Sequence, residues 1–206
     1  MQNSIEKWIP TLIDLGLSES ALEGLKKYID LLWVSNEDLN LISRKMTFED
    51  LMENHVIDCL LPLKLFPITA NHVADFGSGG GLPAVIYALQ FPKVHFSLYE
   101  KSPKKQDFLK LCQKIAPNLS IHGEIPVKLA GVDLITARGF KPVDVIFDMS
   151  RDYYSQKKSY FLLKARKEKI DEELLDSQKK FKDHTVEIIP LKSPVLEVER
   201  HLVKVN

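Results

Sequence analysis

A cluster of glycines follows an acidic residue near the middle of the chain. The segment Asp75-Phe76-Gly77-Ser78-Gly79-Gly80-Gly81 lies between an apolar run, His72–Phe76, and apolar residues at helical spacing, Leu82–Leu89. Glycine lets a backbone turn with a positive φ and approach a ligand closely, and the start of a helix offers free N–H groups. This pattern predicts that a nucleotide-like ligand binds between a strand and the helix that follows it.

The spacing of these glycines distinguishes two ligands. A dinucleotide fingerprint, G-x-G-x-x-G, requires its third glycine at position 82, where the chain has Leu82. The order acid-x-G-x-G-x-G that starts at Asp75 resembles the loop of class I methyltransferases, in which the acidic residue helps to order the loop and the methionine end of the cofactor. The sequence therefore favours S-adenosyl-L-methionine over NAD, with Asp75, Gly77 and Gly79 among the residues that bind it.

A second acidic residue, Glu100, ends the next apolar run, Val94–Tyr99, and stands 23 positions after Gly77. At this distance an acidic side chain at a strand end meets the hydroxyls of a ribose. A carboxylate suits the task because it accepts two hydrogen bonds from vicinal hydroxyls. We expect Glu100 to bind the ribose of the cofactor; the alternative is a solvated glutamate at a strand end.

Alternating strands and helices are expected to position these residues. The alternation predicts an α/β fold of the Rossmann-like class I type, a mostly parallel seven-stranded sheet with helices on both faces and an antiparallel edge. The predicted strands are His72–Phe76, Val94–Tyr99, Leu119–His122, Val132–Thr136, Ser159–Leu163, Val186–Pro190 and His201–Val205. The predicted helices are Leu82–Leu89, Pro103–Ile115, Val143–Met149 and Arg166–Lys182.

Helical periodicity precedes this alternation. Two short helices are predicted between Ile5 and Leu41, the second starting at a capping box formed by Ser20 and Glu23. A further helix is expected from Phe48 to about Leu65, where Pro67 stops it. The chain is therefore divided into an N-terminal helical extension, residues 1–66, and a single cofactor-binding domain, residues 67–206.

The composition is that of an ordinary globular protein. Of the 206 residues, 45% are hydrophobic and 27% are charged, which indicates neither disorder nor a fibrous class. No run approaches the roughly 18 apolar residues that a membrane span needs, and residues 1–17 lack a signal-peptide pattern. Lys plus Arg and Asp plus Glu number 28 each, so the overall charge does not indicate nucleic-acid binding. We expect a cytoplasmic, monomeric protein without membrane contact.

The motifs together resemble one family, the bacterial 16S ribosomal RNA guanine-N7 methyltransferase G, also called glucose-inhibited division protein B. The resemblance implies S-adenosyl-L-methionine as methyl donor and N7 of guanine 527, in the 530 loop of 16S rRNA, as acceptor. It also implies 16S rRNA, the 30S subunit or an assembly intermediate as partner. The matching segments are Asn40-Leu41-Ile42-Ser43, His55-Val56-Ile57-Asp58, the loop from Asp75 to Pro83, Glu100 with Lys104-Lys105 and Phe108-Leu109, Thr136-Ala137-Arg138-Gly139-Phe140, and Glu199-Arg200-His201-Leu202-Val203.

The resemblance also assigns site residues. It implies cofactor contacts at Gly77, at Leu82, at the pair Glu124 and Ile125, and at Arg138, and no metal ion. The chain departs from the family pattern in the loop 123–126, which is shortened. Cys59 stands where the family usually has Ser, and Ala165 where Gly is common. Cys59 and Cys112 both lie in apolar helical patterns, which favours buried thiols.

Two further residues are candidates for catalysis. Arg138 is expected just past a strand end, where its planar fork can bind the cofactor carboxylate or the O6 edge of guanine; a surface ion pair is the alternative. His55 stands one helical turn before Asp58, and could position the base, close the pocket or be purely structural. The chain offers no obvious nucleophile–base pair, and N7 of guanine carries a lone pair and no proton, so alignment of the reactants is expected to dominate.

Contact with RNA phosphates is expected from lysines and arginines near the site. They form one group beside the cofactor loop and a second group further along, which Asp171–Glu173 makes less uniformly basic. Other readings stay open: a methyltransferase of this fold that acts on another RNA, a protein or a small molecule, and a nucleotide- or NAD-binding module without transfer activity. The two groups are Lys101, Lys104 and Lys105, and Lys157, Lys158, Lys164, Arg166, Lys167 and Lys169.

Overall fold

One sheet of seven strands runs through the part of the chain that a computed structural model describes, residues 4–43, 45–182 and 184–205. The strands are β1 (His72–Phe76), β2 (His95–Tyr99), β3 (Leu119–His122), β4 (Leu134–Arg138), β5 (Ser159–Lys164), β6 (Val186–Leu191) and β7 (Arg200–Val205). Their order is β3-β2-β1-β4-β5-β7-β6; β1 to β5 are parallel, and β7 runs antiparallel to β5 and β6. The predicted fold class is confirmed.

Helices connect the strands and precede the sheet. They are α1 (Ile9–Asp14), α2 (Glu19–Leu39), α3 (Phe48–Leu51), α4 (Asp58–Leu60), α5 (Ala84–Gln90), α6 (Pro103–Cys112), α7 (Val143–Met149), α8 (Arg151–Ser155) and α9 (Lys167–Gln178), with 3₁₀ turns at Glu6–Trp8 and Leu63–Leu65. The bounds of β1, β3 and α7 agree with the prediction. Helix α8 was not predicted, and α6 and α9 end earlier than their apolar patterns indicated.

The fourth strand begins two residues later than predicted. The chain turns at Gly131, which has a φ of +72°, and the N–H of Val132 bonds back to the carbonyl of Leu129. Val132 is therefore buried within a turn rather than in the ladder. As a result Arg138 is the last residue of β4, whereas it was expected just past the strand end.

The N-terminal helices differ from the prediction in length and capping. A short α1 is followed by a single α2 of 21 residues, whose N-cap is Ser18, so Ser20 lies inside the helix. The capping box is found instead at α3. There the Thr47 side chain accepts from the N–H of Asp50 at 3.1 Å, and the Asp50 carboxylate accepts from the N–H of Thr47 at 2.9 Å. Ser20 with Glu23 and Thr47 with Asp50 have the same spacing, but only Thr47 stands at the N-cap of its helix.

The helix expected over Phe48–Leu65 is interrupted. Between α3 and α4 the segment Met52–Ile57 is π-helical. A π turn accommodates one more residue than an α turn and is often found at functional sites. Here the π segment carries His55 into the site described below.

The N-terminal helices and the sheet share one apolar core. Helix α2 packs against α5 and α6, and buried residues of α2 belong to the same cluster as Val73 and Phe96 of the sheet. The hydroxyl of Tyr28, fully buried, donates to the carbonyl of Gly80 at 2.6 Å. The extension is thus in direct contact with the glycine loop. The boundary between residues 66 and 67 stays a prediction.

Membrane-spanning helices were also sought in the described residues. None of their helices combines the length and the apolar character that crossing a membrane requires.

Candidate active site

The glycine loop has the backbone that its sequence requires. Gly77 and Gly79 have φ values of +69° and +54°, a region that other residues rarely adopt. A Cβ atom at Gly77 would lie 2.1 Å from a ring carbon of Phe140, so only glycine fits beneath that ring. The loop therefore leaves its backbone open to a ligand on one side and to Phe140 on the other.

Two carboxylates support this loop in different ways. Glu100 accepts from the N–H of Gly79 at 2.9 Å with one oxygen and from the N–H of Ser102 at 2.9 Å with the other. Asp75 lies beneath the loop, almost without exposure, and accepts from the Thr136 hydroxyl at 2.7 Å. Burial raises the pKa of Asp75 to about 7, while its hydrogen bonds to Ser78 and Thr136 oppose the shift.

A cavity of about 230 Å³ opens above the loop. Four of the predicted cofactor-binding residues, Gly77, Gly79, Glu100 and Ile125, are in its lining, which consists of Gly77, Gly79, Tyr99, Glu100, Lys101, Lys105, Gly123, Ile125, Gly139 and Phe140. The structure thus brings together the ends of β1, β2 and β4 and the loop after β3, as the parallel sheet predicts.

The other predicted cofactor contacts lie outside this lining. Asp75 is under the loop, and Leu82 is buried where α5 begins. The Glu124 side chain points to the surface, 85% exposed and 3.9 Å from the ammonium of Lys101, so only its backbone could contact a ligand. Their direct contact with the cofactor stays a prediction, and so does that of Arg138.

Arg138 is held by a network rather than by a surface ion pair. Its side chain is 19% exposed, and its Nε and Nη2 lie 2.9 and 2.8 Å from the Asp58 carboxylate. Its Nη2 also donates to the carbonyl of Asn54 at 2.9 Å, and its Nη1 lies 3.2 Å from Nδ1 of His55. Of the five N–H groups of a guanidinium, these contacts leave one on Nη1 for a ligand.

His55 is neutral near pH 7 in this setting. Burial, followed by the charge of Arg138, lowers the pKa of His55 to about 4. Because arginine can only donate, Nδ1 of His55 accepts, and the ring proton therefore lies on Nε2. Among the described residues, Arg138 lines a second, larger cavity that is described below. His55 lines neither that cavity nor the one above the loop. His55 lies behind Arg138 and orients it.

Asp58 joins Arg138 to a second arginine. The Nε of Arg200, on β7, hydrogen bonds to Oδ1 of Asp58, which is 9% exposed. One carboxylate thus holds two guanidinium groups from strands at different places in the sheet. The sequence placed Arg200 and Asp58 in family motifs, but nothing local to either motif indicated that they meet.

A larger and more basic cavity, about 520 Å³, adjoins the network at the ends of β4 and β5. Its two acidic residues, Asp58 and Glu173, are both paired with lining cations. The volume falls within the range of small-molecule and base-binding pockets. The charged residues of the lining are Asp58, Arg138, Lys141, Lys164, Arg166, Lys169, Glu173 and Arg200.

Gly139 and Phe140 lie at the boundary of the two cavities, since both line each of them. Sequence reasoning quoted this dipeptide as part of a motif and gave it no role. The available indication of a role was its position directly after the end of a strand in a parallel sheet, where ligands bind.

The cysteines do not take part in this site. Cys59 and Cys112 are buried and unpaired with each other, as predicted. Burial raises the pKa of both thiols to about 12, so both are protonated near neutral pH.

Comparison with known families identifies the type of methyltransferase. Residues 21–203 match the sequence model of a family described as GidB, rRNA small subunit methyltransferase G. The chain belongs to this family. The protein is accordingly an S-adenosyl-L-methionine-dependent methyltransferase, and the family resemblance predicted from its motifs is confirmed.

Relatives of this methyltransferase match over nearly their whole length. The ribosomal RNA small subunit methyltransferase G 1 of Bdellovibrio bacteriovorus is 64% identical over 203 residues, 98% of this chain and 99% of that protein. The ribosomal RNA small subunit methyltransferase G of Brachyspira hyodysenteriae is 32% identical over 196 residues, 92% of this chain and 93% of that protein.

Solved structures support the fold of the methyltransferase. Cofactor-bound Rv0187 from MTB has a TM-score of 0.60 at 11% identity, covering 87% of this chain and 88% of that one. Precorrin-6y C5,15-methyltransferase from Geobacter metallireducens GS-15 has a TM-score of 0.55 at 12% identity, covering 72% and 86%. At these identities the likeness concerns the fold alone.

The residues of the smaller cavity fit S-adenosyl-L-methionine. Each Glu100 oxygen has one backbone partner and retains a lone pair, so the carboxylate can still accept from two ribose hydroxyls. The missing side chain of Gly79 leaves room for the ligand along the loop, whereas that of Gly77 leaves room for the ring of Phe140.

Proposed function

We propose that this methyltransferase modifies N7 of guanine 527, in the 530 loop of 16S rRNA, and that the larger cavity receives the base. The observation that carries the proposal is the position of the basic cavity, which shares Gly139 and Phe140 with the cofactor cavity in its lining. A guanine in the basic cavity would lie next to a ligand in the cofactor cavity, and N7 would meet the methyl group at their shared boundary, beside Phe140.

The basic lining suits a phosphate-rich substrate. Arg166 and Lys169 line the cavity, and Lys101 and Lys105 line the mouth of the neighbouring one. Such cations bind RNA phosphates without reading sequence. Lys164 contributes less than its sequence suggested, because its ammonium is held by Glu173 at 2.7 Å and by the carbonyl of Lys141 at 2.7 Å.

The chemistry needs positioning more than proton transfer. S-adenosyl-L-methionine, when bound, supplies an electrophilic methyl group on a sulfonium. N7 of guanine has a lone pair and no proton to lose, so no side chain of the protein must act as a base. The protein contributes alignment, which is worth roughly 7–11 kcal/mol when two reactants are held in line.

Arg138 is the residue best placed to orient the base. Its remaining Nη1 hydrogen can donate to O6, the acceptor beside N7 on the same edge of guanine. Asp58 and neutral His55 hold the guanidinium in a single orientation. We also expect Asp75, Leu82 and the backbone of Glu124 and Ile125 to complete the cofactor site, and the protein to act in the cytoplasm as a monomer.

A methyl-transfer assay tests the proposal. The protein is incubated with radiolabelled S-adenosyl-L-methionine and 30S particles or 16S rRNA from a strain that lacks the gene, and the label is located by N7-specific strand scission. We expect label at guanine 527. Arg138→Ala should lower the rate about 10–100-fold, the value of a hydrogen bond to a charged group.

Arg151→Ala is the matched control. Arg151 begins α8, away from both cavities, and its side chain is 72% exposed. It should leave the rate unchanged. Labelling of a small molecule or of another RNA, with 16S rRNA unlabelled, would contradict the proposed acceptor while leaving the methyltransferase fold intact.

A further inference from the structure

We infer that Phe140 stacks against the target base and so positions it for methyl transfer, an inference that rests on the proposed function. The side chain is half-buried and lines the basic cavity as well as the cofactor cavity. An aromatic ring at that boundary touches whatever base enters the basic cavity.

One side of the ring is fixed by the protein. Ring carbons of Phe140 pack directly on Gly77, where even a Cβ atom would collide with them. The ring also lies edge-on to Phe76, with centroids 6.5 Å apart and an interplanar angle of 75°. The ring is therefore supported from the sheet and from the glycine loop.

The backbone around Phe140 is fixed as well. Gly139 has a φ of +60° at the end of β4, next to the anchored Arg138. On the other side, the ammonium of Lys164 binds the carbonyl of Lys141, and Glu173 accepts from the N–H of Val143 at 3.1 Å. The pair of Lys164 and Glu173, about one-tenth exposed, thus holds both ends of the turn after Phe140. The buried ion pair of Lys164 and Glu173 therefore has a structural role, which is separate from phosphate binding.

Stacking is the interaction that such a ring offers to RNA. Sequence-specific RNA recognition commonly places an unstacked base on an aromatic side chain while polar groups bind its edge. Here the ring and the guanidinium of Arg138 are two residues apart at the same strand end. The ring would fix the plane of guanine, and Arg138 would fix its rotation within that plane.

The test compares aromatic with aliphatic replacements at position 140. Phe140→Leu should lower kcat/KM for 30S particles about 10–100-fold, the range measured when a stacked base loses its aromatic partner. Phe140→Tyr should retain kcat/KM to within about threefold, because its ring stacks equally well. The dissociation constant for S-adenosyl-L-methionine, measured by calorimetry, should change less than about threefold in either variant.

Three controls accompany the comparison. Leu175→Ala, on an exposed position of α9, should change neither constant. The melting temperature of each variant shows whether it is folded. If Phe140→Leu does not fold, Phe140→Met replaces it, since a flexible methionine fills the space over Gly77 without a ring.

The outcomes separate the two claims. Equal kcat/KM in the aromatic and aliphatic variants would overturn the stacking inference alone. A rise in the cofactor dissociation constant as large as the loss in kcat/KM would overturn it too, because the ring would then serve the cofactor. If wild-type protein transferred no methyl group to 30S particles, the proposed function would fail and the inference with it.

Discussion

The two cavities of this methyltransferase are built on different plans. The smaller one is made from consecutive backbone groups, the glycine loop, with carboxylates below and beside it. The larger one is made from side chains that are far apart in sequence, with Asp58 joining Arg138 and Arg200. Backbone groups suit a ligand that many enzymes share, whereas a network of side chains can be adjusted to one acceptor.

The plans also differ in what a single substitution removes. In the glycine loop, the partners of the two carboxylates are neutral N–H and hydroxyl groups, so the loss of a carboxylate leaves no charge uncompensated. In the network, one buried carboxylate compensates two partly buried cations, so its loss leaves charge uncompensated. We therefore expect stability to depend on the acceptor side and ligand affinity to depend on the cofactor side.

The largest effect is expected from Asp58→Asn. Arg138 and Arg200, 19% and 23% exposed, would lose their common counter-charge. Breaking a buried pair of this kind costs about 3–5 kcal/mol of unfolding free energy, to be measured by urea denaturation. Asp107→Asn, which removes an exposed pair with Lys110, should cost about 0.5 kcal/mol or less. A loss for Asp58→Asn no larger than that of Asp107→Asn would mean that the network is not a structural unit.

The next effect concerns Asp75 and pH. Because burial raises the pKa of Asp75 to about 7, the folded state binds a proton more tightly than the unfolded chain does. The contribution of Asp75 to stability is therefore present below about pH 4 and is lost as the pH rises through 7. Relative to wild type, Asp75→Asn should gain about 4 kcal/mol of unfolding free energy between pH 4 and pH 8.

Urea denaturation across this pH range measures the difference. The amide beneath the loop can also change the free energy of unfolding by an amount that does not depend on pH. That amount cancels, because only the change of the free energy with pH is compared between variant and wild type. Parallel pH profiles for the variant and wild type would show that Asp75 is already ionised at pH 5 and that the loop solvates it.

Glu100→Gln is expected to affect stability less than the substitutions above but to weaken the binding of S-adenosyl-L-methionine clearly. The amide retains one acceptor, so the N–H of Gly79 or of Ser102 loses its partner and the ribose loses a charged one. The dissociation constant for S-adenosyl-L-methionine should rise about 10–100-fold, as measured by calorimetry. Glu187→Gln, at an exposed pair on β6, serves as the control and should bind like wild type. Similar affinities for the two variants would remove Glu100 from the cofactor site.

The smallest effect should come from Arg166→Ala. Arg166 is exposed and lines the basic cavity. If it contacts one phosphate, its removal reduces the slope of log K against log salt for 16S rRNA by about 0.7–0.9. Lys26→Ala, on α2, should leave the slope unchanged. An unchanged slope for Arg166→Ala would place the RNA phosphates elsewhere on the surface.

The sequence predicts the cofactor cavity better than the basic cavity, because the first is built from a local segment and the second from residues far apart in the chain. The glycine loop is a local pattern, so spacing alone predicted that Gly77, Gly79 and Glu100 lie together at strand ends, where they line one cavity; their contact with the cofactor stays a prediction. The network was not predicted, because Asp58 and Arg200 are 142 positions apart and meet only after the sheet has formed. Propensity gives no information on such a pairing.

The misplaced elements have a comparable cause. The capping box expected at Ser20 formed at Thr47, and an α-helical pattern became a π turn around His55. Local spacing does not fix where a helix begins, and it does not distinguish an α turn from a π turn. Helix α8 was missed because five residues are too few for periodicity to be recognised.

The hydrogen bond from Tyr28 to Gly80 sets an order of events during synthesis. These partners are 52 positions apart, and the one in the N-terminal helix leaves the ribosome first. Helix α2 therefore keeps its tyrosine hydroxyl hydrated and its apolar stripe exposed until β1 and the loop have emerged, a period of several seconds at about 5–20 residues per second. Slow codons after the glycine loop, rather than before it, would give the two parts time to dock.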